Sequence, residues 1–296
     1  MDEKIIDISE EAAGLSVRLN QLHIKLARAE ASVPLEELAT LIVSHPAVHY
    51  THQALASICT HGGTVILCDE KRLPIGMLLP LVGHFTQTER FNAQASASLP
   101  LRKLLWKQVV RAKIMSQARL LLHLRGSDNG LPRMARKLRS GDPDNLEGQA
   151  ARRYWHALFG PAFHRIPRTT DPINRALNYG YAVLRAAVAR AICSAGLHPS
   201  LGIHHHNKYD PFCLASDLME PFRPMVDREV ISLLTVHGPE IPMDKDTKAQ
   251  IINALLTTPL VVAGHHRTLF DVLARAAASL AGAYTGGRRT LLLPRW

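Results

Sequence analysis

Residues Leu201 to Asp227, LGIHHHNKYDPFCLASDLMEPFRPMVD, gather side chains that can do chemistry. His204, His205 and His206 stand in a row. Asp217 and Glu220 follow, one helical turn apart, so a helix would carry both carboxylates on one face. Like charges ~4 Å apart at an effective dielectric near 20 repel by roughly 4 kcal/mol. A metal, an arginine, a shared proton or water must offset that. Adjacent imidazoles make a divalent metal one reading. A solvated helix face beside surface histidines is the other, and this stretch alone is consistent with both.

Upstream, the turn GDPDN precedes a helix running from about Asn145 to Phe159, with Glu147 in its first turn. Asp144 and Glu147 have the N-cap and N3 spacing of a capping box. That is a structural role for Glu147, yet a capped glutamate is rigidly placed, as a metal ligand also requires. Hard carboxylate oxygens with one imidazole suit Mg2+ or Mn2+ better than structural zinc. Arg223, one turn beyond Glu220, is placed to pair with these acids or to touch phosphate. Asn174, Asn178 and Tyr181 share an arc of a helix over residues 171–196, where they form either a polar helix–helix seam or part of a site wall.

The elements that position these residues divide the chain. Residues 1–82 carry short apolar runs at Lys4–Ile8, Leu15–Arg18, Gln21–Leu26, Leu38–Val43, Thr64–Cys68 and Gly76–Leu81. They predict a small β-rich domain with one helix, capped by Thr51 and running to about His61. His45, His49, His52 and His61 show no regular spacing and read as structural or solvated. Residues 83–94 are polar and lack β alternation, which predicts a linker. Residues 95–296 turn helical. The clearest helix has Asp171 as N-cap, Pro172 at N1 and Gly196 at C′. Further helices are expected over Thr247–Thr257 and His266–Tyr284. The fold class is α+β: a β-rich domain followed by a larger all-α one.

Composition narrows the partners. The 296 residues include 35 Lys or Arg against 25 Asp or Glu, a net charge of +10. Basic proteins usually meet an acidic partner, most often nucleic acid. The excess is focused. Arg102, Lys103, Lys107, Arg111, Lys113, Arg119, Arg125, Arg133, Arg136, Lys137 and Arg139 face a single acid, Asp128, in the same segment. Solvated helix faces usually mix signs, so this segment reads as a phosphate-facing surface whose DNA affinity falls steeply with salt. Cys59, Cys68, Cys193 and Cys213 lack metal-finger spacing and read as reduced thiols of a cytoplasmic protein. No stretch is long and apolar enough for a signal peptide or a membrane span.

Taken in order, the segments VPLEELATLIVSHPAV, GGTVILCDEKRLPIGMLLPL, LWKQVVRAKIMSQARLL, NLEGQAARRYW, DPINRALNYGYAVLRAAVARAICSAGLHPSLGIHHHN and LASDLMEPFRPMVD resemble the integrase-endonuclease family of CRISPR adaptation ("Cas one"), most closely its type II branch. The resemblance covers nearly the whole chain. It implies a homodimer formed through the β domain and a metal held by a Glu, a His and a later acid. These fall on Glu147, His205 (third after Gly202) and Glu220, with Asp217 beside the metal. Many relatives outside type II carry Asp where this chain has Glu220. The implied reaction is attack of a DNA fragment's 3′-hydroxyl on a phosphodiester at a repeat boundary, with no ATP. The implied partners are double-stranded DNA, a small dimeric partner ("Cas two") completing a heterohexamer, and in type II systems the RNA-guided effector nuclease. Two competing readings follow from the same residues: a branched-DNA nuclease with water as nucleophile, and a non-catalytic basic scaffold.

Overall fold

The computed structural model describes residues 3–70, 74–167, 169 and 171–294; Arg295 and Trp296, the end of the basic tail, lie outside them. The chain opens with β1 (Lys4–Ile8), β2 (Gly14–Arg18), β3 (Gln21–Lys25), β4 (Glu30–Pro34), β5 (Leu38–Val43) and β6 (His49–Tyr50). Helix α1 (His52–Thr60), β7 (Thr64–Cys68) and β8 (Pro74–Leu78) follow. They form two four-stranded sheets, ordered β1-β5-β7-β8 and β4-β3-β2-β6. In the first, β1, β5 and β7 are parallel and β8 is antiparallel. In the second, β2, β3 and β4 are antiparallel; Leu19 and Asn20, both at positive φ, make the two-residue turn that pairs Arg18 with Gln21. Thr51 accepts from the Ala54 N–H and caps α1, as its type and place predict.

β5 shows how the strands meet the helices. All six of its residues are buried. Leu38, Leu41 and Val43 join the apolar cluster of the β region, while Ala39 and Ile42 join the cluster of the helical region. A strand covered on both faces reads as a continuous apolar run, and LATLIV is one.

The helical region holds α2 (Gln87–Ala95), α3 (Leu99–Arg125), α4 (Leu131–Lys137), α5 (Leu146–Phe159), α6 (Pro172–Ser194), α7 (Cys213–Leu218), α8 (Arg223–His237) and α9 (Lys245–Thr257). A hairpin of β9 (Leu260–Val262) and β10 (His265–Arg267) then leads into α10 (Leu269–Tyr284). A 3-10 turn at Glu220–Phe222 joins α7 to α8. α6 packs against α7, α8, α9 and α10. Asp171 caps it at 2.8 Å from the Asn174 N–H, and Gly196 follows its end at φ +65°.

The arrangement is a strand-rich N-terminal region followed by a helical one, as the sequence implies, with two local departures. His266 and Arg267, expected in the last helix, lie in β10, because Ala263 and Gly264 take positive φ and turn the chain; Thr268 then caps α10. Within residues 83–94, expected as linker and entry to the helical region, the chain is helical from Gln87 on, as part of α2. No helix among the described residues is long and apolar enough to cross a membrane.

Candidate metal and nucleic-acid site

Glu147 sits in the first turn of α5, but the turn closes differently from the expected capping box. Asp142, at φ +48°, accepts from the backbone N–H of Leu146 at 2.8 Å and of Glu147 at 2.9 Å. Asn145 takes the left-handed conformation and caps Gly148 at 3.2 Å. Asp144, expected as the cap, instead pairs with Arg139 at 2.7 and 3.0 Å. Two other side chains thus satisfy the helix start, and the Glu147 carboxylate reaches Lys113 Nζ at 2.7 Å.

The histidine triplet separates into three roles. Asp217 is fully buried and accepts from the His204 backbone N–H at 2.8 Å and from the His205 ring through Nδ1. An ionised carboxylate only accepts, so Nδ1 carries the proton and Nε2 of the neutral ring keeps its lone pair. This is the carboxylate–histidine arrangement that orients a metal ligand. The Asp217 hydrogen bond, working against burial, raises the His205 pKa. His204 lies flat on Trp106, ring centroids 4.4 Å apart, and burial lowers its pKa. His206 is exposed, with Arg102 Nη1 3.4 Å from its Nε2.

Gly202 makes the turn possible. A Cβ there would lie 2.3 Å from the His205 carbonyl oxygen and 3.0 Å from Asp217 Oδ2. Gly202→Ala is expected to push the His205 backbone off Asp217, and if His205 acts in the chemistry, such a displacement costs on the order of 10²-fold in rate. The check is activity alongside circular dichroism: a rate loss with the helical signal retained is the expected result, and a wild-type rate would refute the steric argument.

The loop that carries Gly202 is held from α2. Gln94, 4% exposed, donates to the carbonyls of His198 (3.0 Å) and Leu201 (2.8 Å) and accepts from the His198 N–H. The sequence singled out neither Gln94 nor its helix, since one buried glutamine in a polar run has no local signature.

Glu220 is 5% exposed. Its Oε2 lies 2.7 Å from Lys113 Nζ and its Oε1 2.9 Å from Arg223 Nε. Burial opposes its ionisation, but Arg223 and Lys113 outweigh that and hold it at about 2. Lys113, expected on the DNA surface, is turned inward. It follows Val109 by four residues and Val110 by three, on the buried stripe of α3, and bridges the two glutamates. Burial lowers its pKa, and Glu220 and Glu147 more than restore it.

Behind this pair lies a buried group absent from the sequence-based candidates. Asp227 accepts from Tyr154 Oη at 2.6 Å and from Tyr181 Oη. Burial pushes it up to about 6, against the pull of the two hydroxyls and Arg223. Arg223 lies 4.5 Å from the Tyr181 ring centroid and Arg165 5.2 Å. Arg165 also donates to Asn178 at 2.6 Å and Asn174 at 3.0 Å. Tyr181, 6% exposed, therefore supports the site from behind rather than forming an open wall, and Asn178 positions Arg165.

Of the remaining basic side chains, Lys103, Arg111, Arg133, Arg136, Lys137 and Arg139 are exposed, and Arg102, Lys107 and Arg119 are half-buried. Arg139 is committed to Asp144. Along α5, a groove of about 210 Å³ is lined by side chains that include Arg152, Trp155, His156, Phe163, His164 and Arg165, a mix of guanidinium groups and rings. Among the described residues, no three His, Cys, Asp or Glu side chains are grouped closely enough to hold an ion. Lys113 stands between Glu147 and Glu220, and His205 is tied to Asp217.

Comparison with known proteins bears on the family and the fold. The family model described as CRISPR associated protein Cas1 matches residues 6–240. A CRISPR-associated endonuclease Cas1 of Neisseria meningitidis serogroup C is 36% identical over 283 residues, covering 95% of this chain and 92% of its own. Two solved structures share the fold. A casposase bound to integration product gives a TM-score of 0.83 at 22% identity, over 97% of this chain and 92% of its own. A Cas6-RT-Cas1–Cas2 complex gives 0.76 at 19%, over 99% of this chain and 36% of its own. With a matching family model over most of its length and a relative of this identity, the chain belongs to the Cas1 family of CRISPR-associated proteins.

Proposed function

We propose that this protein is a metal-dependent DNA integrase and endonuclease of CRISPR adaptation, of the type II branch. It would join short DNA fragments into a CRISPR array by transesterification. The observation that carries the reading is the convergence of Glu147 and Glu220 on one buried ammonium, beside a histidine that Asp217 holds by Nδ1. The charges of both glutamates are felt at His205.

The donor types, two carboxylates and one imidazole, suit a hard divalent ion, and the side chains would have to draw together around it. Glu220 Oε2 is buried and makes no well-directed hydrogen bond despite its nearness to Lys113. Glu147, His205 and Glu220 would hold Mg2+ or Mn2+, which when bound polarises a phosphodiester oxygen and stabilises spreading negative charge. The protein's own residues do the remaining work. Asp217 fixes the His205 ring, and Arg223 fixes Glu220. Tyr154, Tyr181 and Asp227 lock α5, α6 and α8 around Arg223. The exposed cations of α3 and α4 take the DNA backbone, which sets position and not sequence.

The wider assembly belongs to the same reading. The molecules found with the structural neighbours, an integration product in one and Cas2 in the other, favour double-stranded DNA and a Cas2 dimer as partners here, in a heterohexamer, with the type II effector nuclease as an additional one. Residues 1–82 would form a dimerisation domain, residues 83–94 the connection, and residues 95–296 the catalytic domain.

The test is strand transfer of a labelled fragment into a repeat-containing plasmid, with Mg2+, Mn2+ or a chelator, and with and without Cas2. Joined strands that vanish on chelation support the reading. Shorter strands alone indicate a branched-DNA nuclease, and no product under any condition indicates a scaffold.

A further inference from the structure

Lys113 is the one buried cation of the basic segment. Its side chain is 11% exposed, and its Nζ lies 2.7 Å from both Glu147 Oε1 and Glu220 Oε2. Neither carboxylate needs Lys113 to fold its own segment. The start of α5 is capped by Asp142 and Asn145, and Glu220 already has Arg223. What the ammonium does is neutralise. Two carboxylates against Lys113 and Arg223 make a closed set of zero net charge, which lowers the cost of burying them.

That closed set leaves no room for a second cation. An Mg2+ ion sits ~2.0–2.1 Å from its carboxylate oxygens, within the space that an ammonium at 2.7 Å from both glutamates fills. Adding two positive charges beside a retained ammonium would meet strong like-charge repulsion at low dielectric. Yet Glu220 Oε2, compensated in charge, is not saturated in hydrogen bonding.

We propose that Lys113 is a built-in counter-ion that holds a divalent ion's place between Glu147 and Glu220, so that the ion enters only by displacing the ammonium. The inference rests on the metal reading above. It makes Lys113 a positioning residue that keeps the acids aimed without an ion and sets how tightly one binds.

The test titrates Mn2+ into the full-length protein and reads the free ion by electron paramagnetic resonance. Wild type is compared with Lys113→Met, Lys113→Gln and Glu147→Gln. The uncharged Lys113 variants are expected to bind Mn2+ at least ~10-fold more tightly than wild type, since the ion no longer competes with a charge that only the ion-free state keeps. Equal or weaker binding by folded Lys113→Met and Lys113→Gln overturns the proposal. If Glu147→Gln binds as wild type does, the ion is elsewhere and it is the metal reading that fails. Because removing Lys113 leaves the buried Glu220 and the half-buried Glu147 without the ammonium between them, a second measurement uses the wild-type chain. Amine acylation read by mass spectrometry should modify Lys113 faster with Mn2+ present, while Lys103 and Lys137 stay unchanged. No acceleration at Lys113 under saturating Mn2+ overturns the proposal as well.

Discussion

Glu220→Ala is expected to lower strand transfer by at least ~10³-fold, about 4 kcal/mol of transition-state stabilisation, while DNA binding changes little. Glu147→Ala and His205→Ala should do the same. The cations proposed to face DNA are separate side chains on α3 and α4, so a gel-shift titration should move by less than ~3-fold in each variant. Wild-type-like transfer by all three would falsify the site.

Glu220 also carries a signature in stability. Its folded pKa, about 2, lies below its ordinary value of 4.5. The folded state therefore prefers the ionised form. The associated stability, about 3 kcal/mol, is present in full above pH 4.5 and is lost as pH falls toward 2. Glu220→Gln should be less stable at neutral pH and flatter in that acid window. Urea unfolding at several pH values reads the difference, and parallel profiles would remove the charge argument.

Asp227→Ala is expected to destabilise the fold by about 3–5 kcal/mol, the cost of breaking a buried charged network at one partner. The substitution leaves two buried tyrosine hydroxyls without their acceptor and Arg223 with one carboxylate fewer. Asp227→Asn, of the same shape, should cost less. Here the pH sign is opposite to that of Glu220. The folded pKa of about 6 lies above the ordinary 3.8, so the folded state holds the proton more tightly than the unfolded one. Asp227's contribution therefore falls by about 3 kcal/mol as pH rises from ~4 to ~6. That figure compares the ionised with the neutral acid and not with alanine, so it stands beside the loss in Asp227→Ala. The stability difference between wild type and Asp227→Asn should shrink across that window. A constant difference would mean that Asp227 is ionised as readily inside as outside.

Much of this site is legible in the chain because its determinants are local. Gly202 followed by His205, Asp217 one turn from Glu220, and Glu147 behind a turn of Asp and Asn are short-range patterns. So are Asp171–Pro172 at the head of α6 and Gly196 behind its end, the all-apolar run of β5, and the Thr51 cap. Each works through residues within a turn or two, where spacing determines geometry.

What tertiary structure decided lies in pairs far apart in sequence. Lys113 meets Glu147 across 34 residues, and Tyr154 meets Asp227 across 73. Helical period places Lys113 with Val109 and Val110, but the 11 buried residues of α3 are spread from Leu105 to Leu121 among its 27, so its basic positions alone do not tell which cation faces inward. Asp227 reads in sequence as one more polar residue on a helix, and only α5 and α6 closing over it make it a buried acid with two tyrosine donors. Asp142 rather than Asp144 caps α5, because Arg139 claims Asp144. Sequence thus set the residue types and their local aim. Packing decided which charge lies within 3 Å of which, because that depends on how helices from distant segments cross, and no local period encodes a crossing.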